Sequence, residues 1–215
     1  MAKLADGMVQ SRADGAKSRA LVALGGNLDG ADGSPPAVML CRAVAALSNL
    51  AGGRLRAVSR FYRTPAFPAG SGPDYVNACA ALDWPGTGDD LLAALHRIEA
   101  ELGRDRSGAA RWQSRVVDLD LLALGGLIRP DPATEAHWRG LPVAARGQIA
   151  PPVLILPHPR LSERGFVLVP LADIAPRWTH PATGLTVAAM LAALPVDEVA
   201  AIAPLWPEQA LSSPA

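Results

Sequence analysis

D-Y-V-N-A-C-A-A-L-D-W-P-G-T-G-D-D-L-L-A-A-L-H-R-I-E-A-E-L-G, Asp74 to Gly103, reads as a strand followed by a helix. Tyr75 to Trp84 is short and aliphatic, the pattern of a buried strand. Thr87 offers a side-chain oxygen to cap a helix, with Asp90 in its first turn. Leu91, Leu92, Leu95, Ile98 and Leu102 form one apolar stripe at helical spacing, and Gly103 ends it. Working outward, Val116 to Leu124 (V-V-D-L-D-L-L-A-L) is rich in β-branched and aliphatic residues and forms the next strand. Upstream, Ala20 to Gly25 is a short apolar strand closed by the turn signal Gly25-Gly26-Asn27. Ser34 can cap a helix with Pro35 at its first position, running to about Leu50 and stopped by Gly52-Gly53. Arg54 to Arg63 alternates apolar and polar residues as a half-buried strand does, and Thr64 to Pro73 is a Pro/Gly-rich loop. The order β-α-β-β-α-β is the split-βαβ pattern. The expected fold is therefore α+β, a ferredoxin-like βαββαβ core with a mainly antiparallel sheet flanked by helices.

Beyond the core, Gly125 to Pro152 contains five prolines, Pro130, Pro132, Pro142, Pro151 and Pro152, and is expected to be a long loop insertion of the lid or disordered kind. Phe166 to Ile174 can be helical, closed by Pro176, and a last helix is expected over Leu185 to Leu194. The expected organisation is a disordered leader over 1–18, one domain over 19–200 and a loose tail over 201–215. There are no internal repeats.

The 215 residues suffice for one domain with a real core, and half of them are hydrophobic. Formal net charge is zero, so no bulk field draws the chain to nucleic acid or an anionic membrane. A ferredoxin-like RNA-binding module would want a basic sheet face with interleaved aromatics, and aromatics are few. No apolar run approaches the roughly 18 residues of a membrane span. The N-terminal stretch lacks the apolar centre of a signal peptide. Cys41 and Cys79 have no metal or redox spacing and read as small buried hydrophobes in a reducing compartment. The expected location is the cytosol. Lysine occurs only at Lys3 and Lys17, so no P-loop lysine or Schiff-base lysine exists in the folded body.

Between the helix and the last strand lies R-D-R-S-G-A-A-R-W-Q-S-R-V-V-D-L-D, Arg104 to Asp120. Asp118 and Asp120 fall on one face of their strand, roughly 7 Å apart. Two carboxylates there repel each other and lose hydration, which a divalent cation between them would relieve. Hard oxygen ligands suit Mg²⁺, which takes one or two carboxylates plus phosphate oxygens and waters. The arginines upstream are planar donors for phosphate. On residues alone, D-L-D at a strand end is also compatible with a solvated edge, and an arginine-rich loop with a solvated face. Their adjacency points to a nucleotide triphosphate site.

Five segments in order, A-L-G-G-N-L, F-Y-R-T-P with D-Y-V-N-A, R-I-E-A-E-L-G-R-D-R, R-W-Q-S-R-V-V-D-L-D-L-L and L-P-H-P-R-L-S-E-R-G-F-V-L-V-P-L-A-D-I-A-P, make the chain from about Ala20 to Pro176 resemble the 6-hydroxymethyl-7,8-dihydropterin pyrophosphokinase family of the folate pathway. The resemblance implies transfer of the β,γ-diphosphate of ATP to the pterin hydroxymethyl group, with release of AMP. It implies two Mg²⁺ ions on Asp118 and Asp120, and Arg104 and Arg115 as the catalytic arginines. For ATP it implies His96, Glu99, Arg106, Arg111, Trp112, Leu121, His158 and Arg164. For the pterin it implies Thr64, Pro65 and Phe67 beside the ring, Tyr75 and Phe166 stacking on it, and Asn77 reading its edge. Glycine, small residues and mutually repelling arginines over Gly103–Ser114 lead to the expectation that this loop closes over bound triphosphate, and a monomer whose partners are these two small molecules is expected. Gln113-Ser114 in place of a usual Gly-Pro and His96 in place of a common glutamine are departures, and none removes an aspartate or a catalytic arginine.

Overall fold

The first strand lies inside the sheet, between two strands that come later in the chain. In the computed structural model, which describes residues 17–66, 72–104, 115–142, 145 and 149–205, β1 (Ser18–Gly26) pairs with β4 (Tyr75–Trp84) on one side and β5 (Asp118–Leu124) on the other. The order β5-β1-β4-β3-β6 continues through β3 (Tyr62–Thr64) to β6 (Ala203–Pro204), and β2 (Arg54–Val58) also pairs with β4. Every pairing is antiparallel. Helix α1 (Pro36–Ser48) links β1 to β2 and α2 (Gly88–Glu101) links β4 to β5, the βαββαβ arrangement expected.

Alternation along the strands sorts the side chains. Ala20, Val22, Leu24, Ala78, Ala80, Leu82, Leu119 and Leu121 face α1 and α2, meeting Leu40, Leu47, Leu91, Leu95 and Ile98. Truncating any of these buried leucines to Ala would cost about 2–5 kcal/mol. The opposite face carries Leu21, Cys79, Ala81 and Leu122 and is covered by α4 (Gly165–Ile174) and α5 (Val187–Ala192) through Val167, Leu168, Leu171, Val187 and Met190. Asp118 and Asp120 belong to this second face by the same alternation.

The details depart from the sequence expectation in identifiable places. Helix α1 starts at Pro36 with Pro35 as its uncapped N-cap. Ser34 instead donates its N–H to Asp32 Oδ1 and accepts from Arg42. The single strand expected over Arg54–Arg63 is two, because at Ser59 the N–H still donates to the Cys79 carbonyl but the side-chain Oγ replaces the backbone carbonyl as acceptor of the Cys79 N–H, each at 2.9 Å. The Gly125–Pro152 insertion contains helix α3 (Pro132–Arg139), capped by Asp131 and anchored by the fully buried Glu135. The expected helix over Leu185–Leu194 is the shorter α5, followed by α6 (Val196–Ala200). The tail expected to be loose begins with buried Ile202 and strand β6. Cys41 is exposed, while burial pushes the Cys79 thiol far above its ordinary value, leaving it an unreactive core residue. Among the described residues no helix is long and apolar enough to cross a membrane.

Candidate active site

One row of the antiparallel register crosses four strands: Asp118 opposite Gly25, Gly25 opposite Asn77, and Asn77 opposite Tyr62. Asp120 lies one pleat along on the same face, opposite Ala23. Small residues on β1 therefore separate the carboxylates from the asparagine and leave the space between them unfilled by side chains. A Cβ at Gly25 would come 2.9 Å from Asn77 Oδ1 and push that amide out of its place. At Gly26 a Cβ would strike the Val116 carbonyl oxygen, so β1 can approach the segment leading into β5 only as glycine.

Asn27 fixes that segment further. Its N–H donates to the Arg115 carbonyl and its Oδ1 accepts the Arg115 N–H, both at 2.9 Å, while its Nδ2 donates to the Pro73 carbonyl at 3.2 Å. Only 3% exposed, this amide ties the turn after β1 to the entrances of β4 and β5. In the sequence Asn27 is part of the turn signal Gly25-Gly26-Asn27. An asparagine directly after a strand that ends in two glycines was the available sign of a larger part.

Arginines converge on the carboxylates. Arg104 donates to Glu99 and Asp118, Arg115 donates to the other oxygen of Asp118, and Arg164 Nη1 stands 3.7 Å from Asp120. The repulsion expected between the two aspartates is thus offset by guanidinium groups of the chain itself. Burial lowers the Arg164 pKa, and the neighbouring Asp120 and Asp118 oppose that shift.

Glu99 joins this cluster from α2. It is fully buried, and its Oε1 also accepts the Leu119 N–H at 2.7 Å. Its carboxylate holds Arg104 and the start of β5. Leu121 faces away from the carboxylates, 3% exposed in the core beneath α2. His96 is half-buried on the α2 side.

His158 sits against the outer edge of β5, its N–H donating to the Leu122 carbonyl at 2.8 Å. Its Nδ1 accepts the Arg160 N–H at 3.1 Å, so the neutral ring carries its proton on Nε2. Burial, with Arg164 and Arg160 adding, pushes its pKa down to about 3, which keeps it neutral near pH 7.

On the other flank, Asn77 is 5% exposed and donates to Thr64 Oγ1 at 2.9 Å. Tyr75 lies on the same face and pairs in register with Thr64. Pro65 is exposed just beyond the strand. Phe166, at the start of α4, is 38% exposed, with the Arg164 guanidinium carbon 5.5 Å from its ring centroid. Asp118, Asp120, Arg104, Arg115, Arg164, Asn77, Thr64, Tyr75 and Phe166 thus gather about one end of the α4-covered face. Phe67, Arg106, Arg111, Trp112 and most of the Gly103–Ser114 loop lie outside the described residues.

The donor set suits Mg²⁺ better than a metal needing a closed protein cage. Among the described residues no group of three or more His, Cys, Asp or Glu side chains could hold an ion. Two carboxylates on one strand face, with guanidinium groups for phosphate beside them, match a cation that completes its shell with phosphate oxygens and water.

Comparison with known proteins bears on the same stretch. A family model described as 7,8-dihydro-6-hydroxymethylpterin-pyrophosphokinase matches residues 21–176. The 2-amino-4-hydroxy-6-hydroxymethyldihydropteridine pyrophosphokinase of Synechocystis sp. is 34% identical over 185 residues, 86% of this chain and 80% of that protein. The protein of the same name from Pseudomonas aeruginosa is 35% identical over 181 residues, 84% of this chain and 94% of that one. Among solved structures, wild-type Plasmodium falciparum HPPK-DHPS superposes with a TM-score of 0.56 at 12% identity, a likeness of fold. It covers 82% of this chain, which spans only 44% of that longer one.

Proposed function

Because the chain belongs to the 7,8-dihydro-6-hydroxymethylpterin-pyrophosphokinase family, we propose that it transfers the diphosphate of ATP to 6-hydroxymethyl-7,8-dihydropterin, giving the pterin diphosphate and AMP in folate biosynthesis. The observation that carries this reading is the shared sheet face, with carboxylates and arginines at one end of a register row and Asn77 at the other. A triphosphate needs the first set. A flat heterocycle with an amide edge needs the second.

In the reaction the pterin hydroxymethyl oxygen forms a bond to the β-phosphorus. The bond from that phosphorus to the oxygen bridging to the α-phosphate breaks, AMP leaves with that oxygen, and the hydroxyl proton passes to solvent. Asp118 and Asp120 would hold Mg²⁺, two ions in this proposal, which when bound neutralise charge on the phosphate oxygens. Arg104 and Arg115 lie beside Asp118 and supply planar donors to the transferring group, stabilising charge as it develops. Arg164 and the Nε2–H of His158 are donors for the nucleotide along the outer edge of β5. Arg106, Arg111 and Trp112 are assigned to the same substrate, and His96 and Leu121 to its side near α2. Tyr75 and Phe166 stack on the pterin, Asn77 reads its edge, and Thr64, Pro65 and Phe67 border it.

The protein is proposed to act as a cytoplasmic monomer with small-molecule partners only. The test is AMP release from ATP by the purified full chain with and without added 6-hydroxymethyl-7,8-dihydropterin. Release that requires both the pterin and Mg²⁺ is expected. Release independent of the pterin, or none at all, would remove the reading.

A further inference from the structure

Helix α4 begins without a cap of its own. Its N-cap residue is Arg164, which makes no side-chain capping bond, since a guanidinium has only donors to offer. The first N–H of the helix, on buried Gly165, is instead accepted at 2.9 Å by Glu198 Oε1, from α6 and 33 residues downstream. The contact is close, and a side chain at 165 would displace the Glu198 carboxylate. A Cβ at Gly165 would come 2.9 Å from Glu198 Oε1 and 3.0 Å from Ile202 Cδ1. The C-terminal end of the same helix is held separately, by Asp173 accepting from Arg60 and from the Tyr62 hydroxyl. After Glu198 the chain buries Ile202, pairs Ala203 and Pro204 with Arg63 and Tyr62 of β3, and donates the Leu205 N–H to the Phe61 carbonyl. One segment, 198–205, thus joins the first turn of α4 to the strand that ends at Thr64. It lies beyond the 21–176 stretch matched by the family model.

We propose that Glu198 is a positioning residue for the active site, a cap delivered from the C-terminal segment that sets the first turn of α4 and with it Arg164 and Phe166. A side-chain cap at position 164 would require Ser, Thr, Asp or Asn there. Taking the cap from elsewhere frees that position for an arginine beside Asp120. Fixing Gly165 also fixes the residues on either side of it, so the spacing between the cation and the aromatic ring depends on Glu198. The segment's pairing with β3 then keeps Phe166 in register with the wall containing Thr64 and Asn77. This inference rests on the assignment of Arg164 and Phe166 to the two substrates.

The test compares Glu198→Ala, Glu198→Asp and Glu198→Gln in the full chain. Gln keeps an acceptor oxygen at the same reach, Asp is one methylene short, and Ala has none. Loss of the acceptor should raise KM for both ATP and the pterin by up to about tenfold, because a shifted first turn misplaces Arg164 and Phe166 and weakens their ground-state contacts, while kcat stays within about threefold. Asp should fall between Ala and wild type, and Gln should restore both KM values. Amide exchange at Gly165–Leu168 should speed up in Glu198→Ala and not in Glu198→Gln. A merely structural part would lower Tm in Glu198→Ala and leave both KM values unchanged, and that result overturns the proposal. Unchanged exchange at Gly165–Leu168 overturns it as well. Failure of the wild-type chain to release AMP would count against the proposed reaction, and the exchange measurement would still decide whether Glu198 sets this turn.

Discussion

Asp118 and Asp120 stand two residues apart on one strand yet meet different neighbours. Asp118 is gripped by two guanidinium groups, whereas the Asp120 side chain is 41% exposed and has Arg164 at 3.7 Å. Replacing Asp120 with Ala should therefore abolish turnover by about a thousandfold or more while changing stability by no more than about 0.5 kcal/mol. Asp118→Ala should lose activity equally and also destabilise by about 1–3 kcal/mol, because Arg104 and Arg115 lose an acceptor. Urea midpoints measured beside pterin-dependent AMP release separate the two, and an active Asp120→Ala protein would sink the assignment. Glu99 shows what local sequence could not reveal. Its spacing from Arg104 was plain, but full burial under the start of β5, where it holds both Arg104 and the Leu119 N–H, depends on the packing of α2. Glu99→Ala should cost about 1–3 kcal/mol by leaving the buried Leu119 N–H without its acceptor and Arg104 with Asp118 alone, read as a lowered urea midpoint. A midpoint near wild type would mean that Arg104 finds a substitute.

Helix starts were legible where a cap could form in only one register. Thr87 accepts the Asp90 N–H and Asp90 accepts the Thr87 N–H, a reciprocal box that T-G-D-D announces. Thr87→Ala should cost about 1 kcal/mol. Ser34→Ala should leave the start of α1 unchanged, since Ser34 does not cap it. Helical content and thermal midpoints of the two variants check this pair, and equal losses would restore Ser34 as a cap. In the insertion, D-P-A-T carried the signal for α3, with Asp131 accepting from Ala133 and Thr134. The density of prolines around it obscured that reading. The break between β2 and β3 arises from the Ser59 bond to Cys79, and β6 forms by pairing with β3. Both depend on partners distant in sequence, which no local pattern encodes. Pro204 is tolerated because β6 is the last strand of the sheet.

At the scale of the molecule, the sheet order followed from the βαββαβ alternation because short connections and apolar stripes leave few other ways to bury both faces. Its response to acid follows from groups the fold withdraws from water. Burial depresses His158 to about 3 and also lowers His180, so both rings stay neutral in the folded chain while unfolded histidine gains a proton near 6.5. Above that pH neither state holds the extra proton, and stability is level. Below it the unfolded state binds more protons, and stability falls by up to about 1.4 kcal/mol per pH unit for each ring. The decline continues below about 3.8, where unfolded aspartate protonates but Asp83, held down by Arg56 and Arg19, does not. Urea unfolding between pH 7.5 and 4.5 should show the first decline, and His180→Phe should flatten part of it. A level profile in the wild type would mean that the folded rings take up protons freely.

The interior place of β1, flanked by β4 and β5, also sets a timetable for the chain as it is made. Residues 18–26 leave the ribosome first, but the strands that flank them are residues 75–84 and 118–124. At about 5–20 residues per second, the opening strand waits roughly 5–20 s for its second neighbour. During that interval an aliphatic strand has an edge exposed to any other strand nearby, so crowding on polysomes, more than any weakness of the finished sheet, is where this protein is most open to aggregation.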